Sequence, residues 1–189
     1  MGDVLIVSSS PKGVALLEEL LKAGQMNKIT SAGSGSEARR RVAQSELEMV
    51  IINTPLTDEF GDELAFFVTD RTSAGVIMLV KNELVDDIAL KVEDYGVFIV
   101  EKPIGKALFY QAIKLVTASR RRMLGLKKEN LKLQSKIEEI RLVDRAKCTL
   151  IQYLNMSEEQ AHKYIEKQAM DRRTTRKNVA ESILKVYES

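Results

Sequence analysis

The 189-residue sequence predicts a doubly wound α/β domain with a five-stranded parallel sheet, followed by a coiled-coil helix and a small three-helix bundle. Three observations predict it. Short Val/Ile-rich runs alternate with stretches of helical period through residues 1–118. Proline ends at Pro103, and from Leu108 onward Gly125 is the one glycine left. An apolar heptad then runs from Met123 to Ile140.

Val4–Val7, Val50–Ile52, Val76–Val80 and Val97–Val100 are short apolar runs bounded by turn-forming residues, the signature of strands buried on both faces. A weaker strand is expected around Lys28–Ser31, between Gly24 and Gly35. Val14–Leu21, Leu64–Val68 and Leu108–Val116 supply helical faces, so strands and helices alternate and the functional crevice is expected at the carboxyl ends of the strands. Further on, Met123, Leu126, Asn130, Leu133, Ile137 and Ile140 are spaced 3, 4, 3, 4, 3, with Met123, Asn130 and Ile137 at a and the others at d. A lone Asn at an a position fixes register and favours a parallel dimer. A parallel pair would set Arg122 against Lys127 and Lys136 against Arg141, so the dimer would rest on the apolar seam; the alternative is one amphipathic helix packed on its own domain.

The same stripe is expected to continue through Val143, Ala146, Leu150 and Leu154 and to stop near Asn155. A second helix opens at Ser157, where Gln160 completes a capping box, and buries Ala161, Ile165 and Ala169. A third opens near Thr174 or Thr175 and buries Val179, Ala180, Ile183 and Leu184. The expected domains are therefore 1–118, a dimerisation helix at 119–142, and a helical module at 137–189.

Charge is sorted along the chain. Residues 1–118 hold 12 Lys/Arg against 17 Asp/Glu, a balance of −5, whereas residues 119–189 hold 17 against 10, a balance of +7. A short basic end of this kind attracts polyanions, nucleic acid first among them. A single cysteine, Cys148, and a single histidine, His162, supply neither an intrachain disulfide nor a His/Cys metal cluster, so no metal or other cofactor is expected. No apolar stretch approaches the length of a membrane span, and a cytoplasmic location without membrane association is expected.

Val4-Leu-Ile-Val7, Val50-Ile-Ile52, Gly61, Val76-Ile-Met-Leu79 and Lys102-Pro103 resemble the response-regulator receiver domain of two-component systems. That resemblance implies an acidic pair for Mg²⁺, a phosphoryl-accepting aspartate, a hydroxyl residue and a lysine. Here Ser8 and Ser9 occupy the acidic-pair positions, Asn53 the acceptor position and Val80 the hydroxyl position; Lys102 alone is kept. Amides are not phosphoryl acceptors, and serines do not replace two carboxylates around Mg²⁺, so a pseudo-receiver that does not take up phosphate is expected. Lys102 is then either a relic of the fold or a contact within the Asn53 cleft, and Asp58 and Glu59 are expected to be solvated loop charges.

Ala146-Lys147, Leu150, Met156-Ser-Glu-Glu-Gln-Ala161, Ile165, Gln168-Ala-Met-Asp-Arg-Arg173 and Val179-Ala-Glu-Ser-Ile183 resemble the ANTAR domain. The resemblance implies binding of paired hairpins in nascent leader RNA and prevention of terminator formation. The residues alone give a compatible picture. Arg172, Arg173, Arg176 and Lys177 bracket the turn into the last helix, and Lys163 and Lys167 lie four apart, beside Gln168. With Lys147 these form the expected RNA-binding set. Arginine suits phosphate forks and stacking, and glutamine can read a base edge. His162 reads as an ordinary surface residue, and Tyr153 and Tyr164 are expected to pack in the bundle.

The leading expectation is a non-enzymatic, dimeric RNA-binding antiterminator regulated without receiver phosphorylation, its partners a stem-loop leader transcript, a second copy of the chain and a regulatory sensor protein. Two alternatives compete with it. One is a DNA-binding response regulator, against which stands the missing glycine-containing helix-turn-helix turn; the other is a coiled-coil protein-interaction scaffold. No nucleophile–base pair that would suit an enzyme can be assembled from the sequence.

Overall fold

The computed structural model describes residues 3–26 and 28–187. The chain divides into two compact units, residues 1–124 and 125–189.

In the first unit the strands are β1 (Asp3–Ser8), β2 (Ile29–Ala32), β3 (Leu47–Asn53), β4 (Gly75–Lys81) and β5 (Val97–Lys102). They form one parallel sheet in the order β2-β1-β3-β4-β5, the doubly wound architecture the sequence predicts. The weak second strand lies one residue later than expected.

Helices α1 (Pro11–Ala23), α2 (Gly35–Gln44), α3 (Asp62–Arg71), α4 (Val85–Val92) and the start of α5 (Lys106–Leu154) cover the two faces. Side chains alternate across each strand and feed two cores. Leu5, Val7, Val50, Ile52, Val76, Met78 and Val80 pack with Ala38 and Val42 of α2, Leu64 and Val68 of α3, and Ile88 and Val92 of α4. Val4, Ile6, Met49, Ile51, Ile77 and Leu79 pack with Leu17, Leu20 and Leu21 of α1 and Phe109, Ile113 and Val116 of α5. Apolar residues on consecutive positions are what a strand buried on both faces needs, which is why these runs stood out in the sequence.

The long α5 enters the second unit, where α6 (Glu158–Asp171) and α7 (Arg176–Tyr187) fold against its end. Ala146, Leu150, Ala161, Ile165, Ala169, Val179, Ala180, Ile183 and Leu184 form their shared core. Ser157 caps α6 in the expected capping box with Gln160.

One expectation fails on α5. Val143, Ala146 and Leu150 do not prolong the heptad seam, because they turn into the bundle core. The reason is spacing: two successive steps of three, Ile140 to Val143 to Ala146, carry the stripe around the helix. The heptad line instead continues through Asp144, Lys147, Ile151 and Leu154, and the last two are half exposed.

Candidate nucleic-acid interface

Two sets of polar residues were singled out by sequence, one in each unit, and their local geometries differ. At the carboxyl ends of β1 and β3, Asn53 Nδ2 donates to Ser8 Oγ at 2.9 Å, and Ser8 Oγ in turn accepts from the Ser10 amide at 3.2 Å. Gly13 leaves the room for this pair, since a Cβ there would stand 2.6 Å from Asn53 Nδ2 and 3.0 Å from Ser8 Oγ. Ser9 Oγ donates to the Pro55 carbonyl at 3.1 Å. Lys102 Nζ donates to the Thr54 carbonyl, and Thr54, itself buried, donates its hydroxyl to the Leu79 carbonyl at 2.9 Å. Val80 is buried in the apolar core.

This cleft satisfies itself with neutral partners. Hydroxyls and an amide offer no charge to balance a divalent cation, so these residues do not fit Mg²⁺. Burial, with Lys81 beside it, draws the Lys102 ammonium below the ordinary lysine range, the direction expected of a cation with no carboxylate partner.

Asp58 is the exposed loop charge expected from sequence, though held by hydrogen bonds, whereas Glu59 is largely shielded in an ion pair. Asp58 accepts from the Gly35 and Ser36 amides at 2.8 and 2.9 Å and from the Ser36 hydroxyl at 2.8 Å, at the first turn of α2. These bonds hold its carboxyl at about 2, against an ordinary 3.8. Glu59 pairs with both terminal nitrogens of Arg39. The signal was present in the sequence as Ser34-Gly35-Ser36, but nothing there said which loop would reach it.

In the second unit, the turn between α6 and α7 is a Schellman-type cap. The Thr174 amide reaches the Ala169 carbonyl at 2.9 Å and the Arg173 amide reaches that of Met170 at 3.1 Å. Arg173 therefore sits at φ 49°, where glycine is the usual occupant. Thr175 Oγ1 caps α7 by accepting from the Asn178 amide at 3.2 Å.

The predicted cations divide here into two groups. Arg172, Arg173 and Lys167 are exposed and Lys177 is half-buried, and among the described residues none of the four forms an ion pair. Met170, exposed by 74%, and Asp171 lie within the same stretch. The other cations are engaged. Lys147 lies 2.8 Å from Asp144 and 3.4 Å from Glu158, and these carboxylates, Asp144 first, raise its pKa above the ordinary lysine range. Lys163 meets Glu159 at 2.6 Å, and Arg176 spans Glu139 of α5 and Glu166 of α6 at 3.9 and 3.6 Å.

Gln168 follows Lys167 on α6, with less of its surface exposed than Lys163 and Lys167. It is half-buried and turned by roughly 100° from Lys167, the angle between consecutive helical residues. His162 Nε2 lies 3.3 Å from Glu166. With Lys136, Lys147, Ile140, Val143 and Arg176 it lines a cavity of about 190 Å³ that the sequence did not foretell, because its walls come from three helices. Tyr153 meets the Tyr187 ring with centres 5.3 Å apart yet stays 55% exposed, and Tyr164 stays 37% exposed, so neither is buried in the bundle as expected.

Along α5, Met123, Leu126, Leu133, Ile137 and Ile140 are 50–59% exposed in the single chain, and Asn130 is exposed on the same line. Among the described residues no helix is long and apolar enough to cross a membrane.

Comparison with known proteins agrees with both halves. The ANTAR domain profile matches residues 131–184. The transcriptional regulatory protein PdtaR of Mycobacterium tuberculosis, in strains CDC 1551 and H37Rv, is 30% identical over 169 residues, spanning 89% of this chain and 82% of the relative. Among solved structures, the signal receiver domain of a putative LuxO repressor protein from Vibrio parahaemolyticus aligns with a TM-score of 0.59 at 20% identity, over 66% of this chain and 96% of that one. The signal receiver domain of an HD domain-containing protein from Pseudomonas fluorescens Pf-5 aligns at 0.58 and 18%, over 66% and 92%. An adenylate cyclase structure from Rhodopirellula baltica aligns at 0.59 and 19%, over 69% and 97%; at these identities the likeness is one of fold.

Proposed function

Since this chain belongs to the family of transcriptional regulatory proteins that includes PdtaR, with a receiver-like fold at its front and an ANTAR domain at its end, we propose that it is a cytoplasmic antiterminator that binds paired RNA hairpins in nascent leader transcripts. The observation that carries this reading is the α6–α7 turn, where Lys167, Arg172, Arg173 and Lys177 are left without carboxylate partners among the described residues. Cations already paired within a protein bring little net charge to a polyanion, whereas unpaired ones release counterions from it. Met170, the most exposed apolar side chain of α6, offers a surface for an unstacked base beside them.

Lys163, Arg176 and Lys147 flank this centre as secondary contacts, exchanging their carboxylate partners for phosphate, and Gln168 reads a base edge. The output needs no phosphoryl group, because the Ser8–Asn53–Lys102 cleft offers no acceptor. Pairing of two hairpins calls for two binding modules, and the seam from Met123 to Ile140 supplies the homodimer that brings them together. Its five apolar members are exposed in one chain and would be buried by a second, each worth roughly 1–2 kcal/mol on half-burial. A sensor protein that engages the receiver-like unit or the seam would set the availability of this dimer.

The test is a titration of the full chain with a stem-loop RNA and with a DNA duplex of equal charge. The proposal expects preference for the hairpin that persists as salt is raised. Equal or stronger binding to the duplex would remove it.

A further inference from the structure

The end of the sheet opposite the Asn53 cleft holds a groove of about 500 Å³ between the C-terminus of α1 and the outer side of α5. Its volume lies in the range of small-molecule sites. Leu21, Ala23, Gly24 and Met26 line it from the α1 side and Tyr110, Ile113, Lys114, Thr117, Ala118 and Arg121 from α5, and Glu48 of β3 lines it as well. Lys114, Thr117, Ala118 and Arg121 follow each other at i, i+3, i+4 and i+7, so they present a single face of α5.

The walls are preformed. Tyr110 Oη donates to the Leu20 carbonyl at 3.1 Å, and the Gly24, Gln25 and Met26 amides close the end of α1 on the Leu20, Lys22 and Leu21 carbonyls. Gly24 keeps this wall thin, since a Cβ there would already touch Tyr110 Cε1 at 3.4 Å. The backbone at the α1 terminus thus spends its hydrogen bonds internally, and the polar character of the groove comes from side chains.

Two of those observations point to a ligand. Thr117 Oγ1 is buried without a hydrogen-bond partner, the one such side-chain atom among the described residues. A buried hydroxyl left unpaired costs on the order of 1–3 kcal/mol, a debt that a ligand acceptor would cancel. Lys114 and Arg121 are exposed at the rim one turn to either side, and among the described residues neither forms an ion pair. Together with Glu48 they leave one net positive charge around an otherwise apolar cavity.

From this arrangement we infer that the groove binds a small organic acid, with one carboxylate held by Lys114, Arg121 and the Thr117 hydroxyl and an apolar body seated against Leu21, Met26 and Ile113. Arg121 stands two residues before Met123, where the exposed seam begins, so the ligand rests on the helix that carries the seam. The binding is independent of the RNA reading and is measured without RNA.

The experiment uses the full chain and a set of probes, namely benzoate, phenylacetate, indole-3-acetate and octanoate, each beside its uncharged primary amide. Binding is read by ligand-observed NMR and by the shift in Tm. At least one acid is expected to bind saturably and to be preferred to its amide. Lys114→Ala with Arg121→Ala should weaken that acid by about tenfold or more while leaving Tm of the free protein nearly unchanged, since both side chains are exposed. Thr117→Val should raise Tm of the free protein and weaken the same acid. No saturable binding of any of the four acids, or binding that these variants leave intact, would overturn the proposal. So would a change of oligomeric state in the Arg121 variant without acid binding, which would give the groove to a second copy of the chain.

Discussion

The Asn53 cleft and the α6–α7 turn are both polar, and they differ in what their polar groups have left to give. In the cleft, Asn53 donates to Ser8, Ser9 to Pro55 and Lys102 to Thr54, so the hydrogen bonds are spent inside the fold. At the turn, Arg172 and Arg173 project from a backbone that caps itself and leaves their guanidinium groups unpaired among the described residues. Residue type alone does not separate these two regions; the count of donors left unpaired within the fold does.

That contrast can be broken by mutation. Replacing Arg172 and Arg173 together by alanine is expected to lower hairpin affinity by about a hundredfold and to reduce the salt slope of binding by about two, with little change in Tm. Lys147→Ala should do the reverse, lowering the Tm of the second unit and changing affinity by less than tenfold, because its ammonium already serves Asp144 and Glu158. Equal losses of affinity from the two variants would erase the distinction between spent and unspent cations.

Asn53→Ala is expected to cost about 1 kcal/mol of stability in urea unfolding, through loss of the bond to Ser8, and to leave hairpin binding unchanged. Arg173→Gly sharpens the other side. Removing a side chain from the left-handed position should stabilise the second unit by up to about 1 kcal/mol while weakening hairpin binding severalfold. A gain in both would mean that the arginine is kept for neither.

The smallest effect is that of pH. Asp58 has its folded pKa depressed to about 2 from 3.8, so its contribution to stability is present above about pH 4 and lost as pH falls towards 2. Thermal melts from pH 5 to 2 should show this loss, and Asp58→Asn should flatten it.

Much of the architecture was legible because burial on two faces writes consecutive Val and Ile into a strand, and the Ser157 capping box writes the start of α6 into four residues. The bundle core was legible from helical period at Ala161, Ile165 and Ala169. What escaped was set by neighbours distant in sequence. Asp58 finds the first turn of α2 across 22 residues, and Gly13 yields its space to Asn53. The turn of Val143, Ala146 and Leu150 into the bundle left its trace in the two successive steps of three after Ile140, which break the alternating 3-4 spacing of the seam, but only the partners from α6 and α7 show which core the new stripe enters. The cations were legible as a set, but their division into paired and unpaired depends on Glu139, Asp144, Glu158 and Glu166 from other turns.

The most direct test of the whole account is a single titration of full-length protein with a two-hairpin leader RNA, run with and without acetyl phosphate and Mg²⁺, and with intact mass recorded on the same samples. The account predicts identical affinities and no added phosphoryl mass. A gain in mass accompanied by a shift in affinity would contradict it.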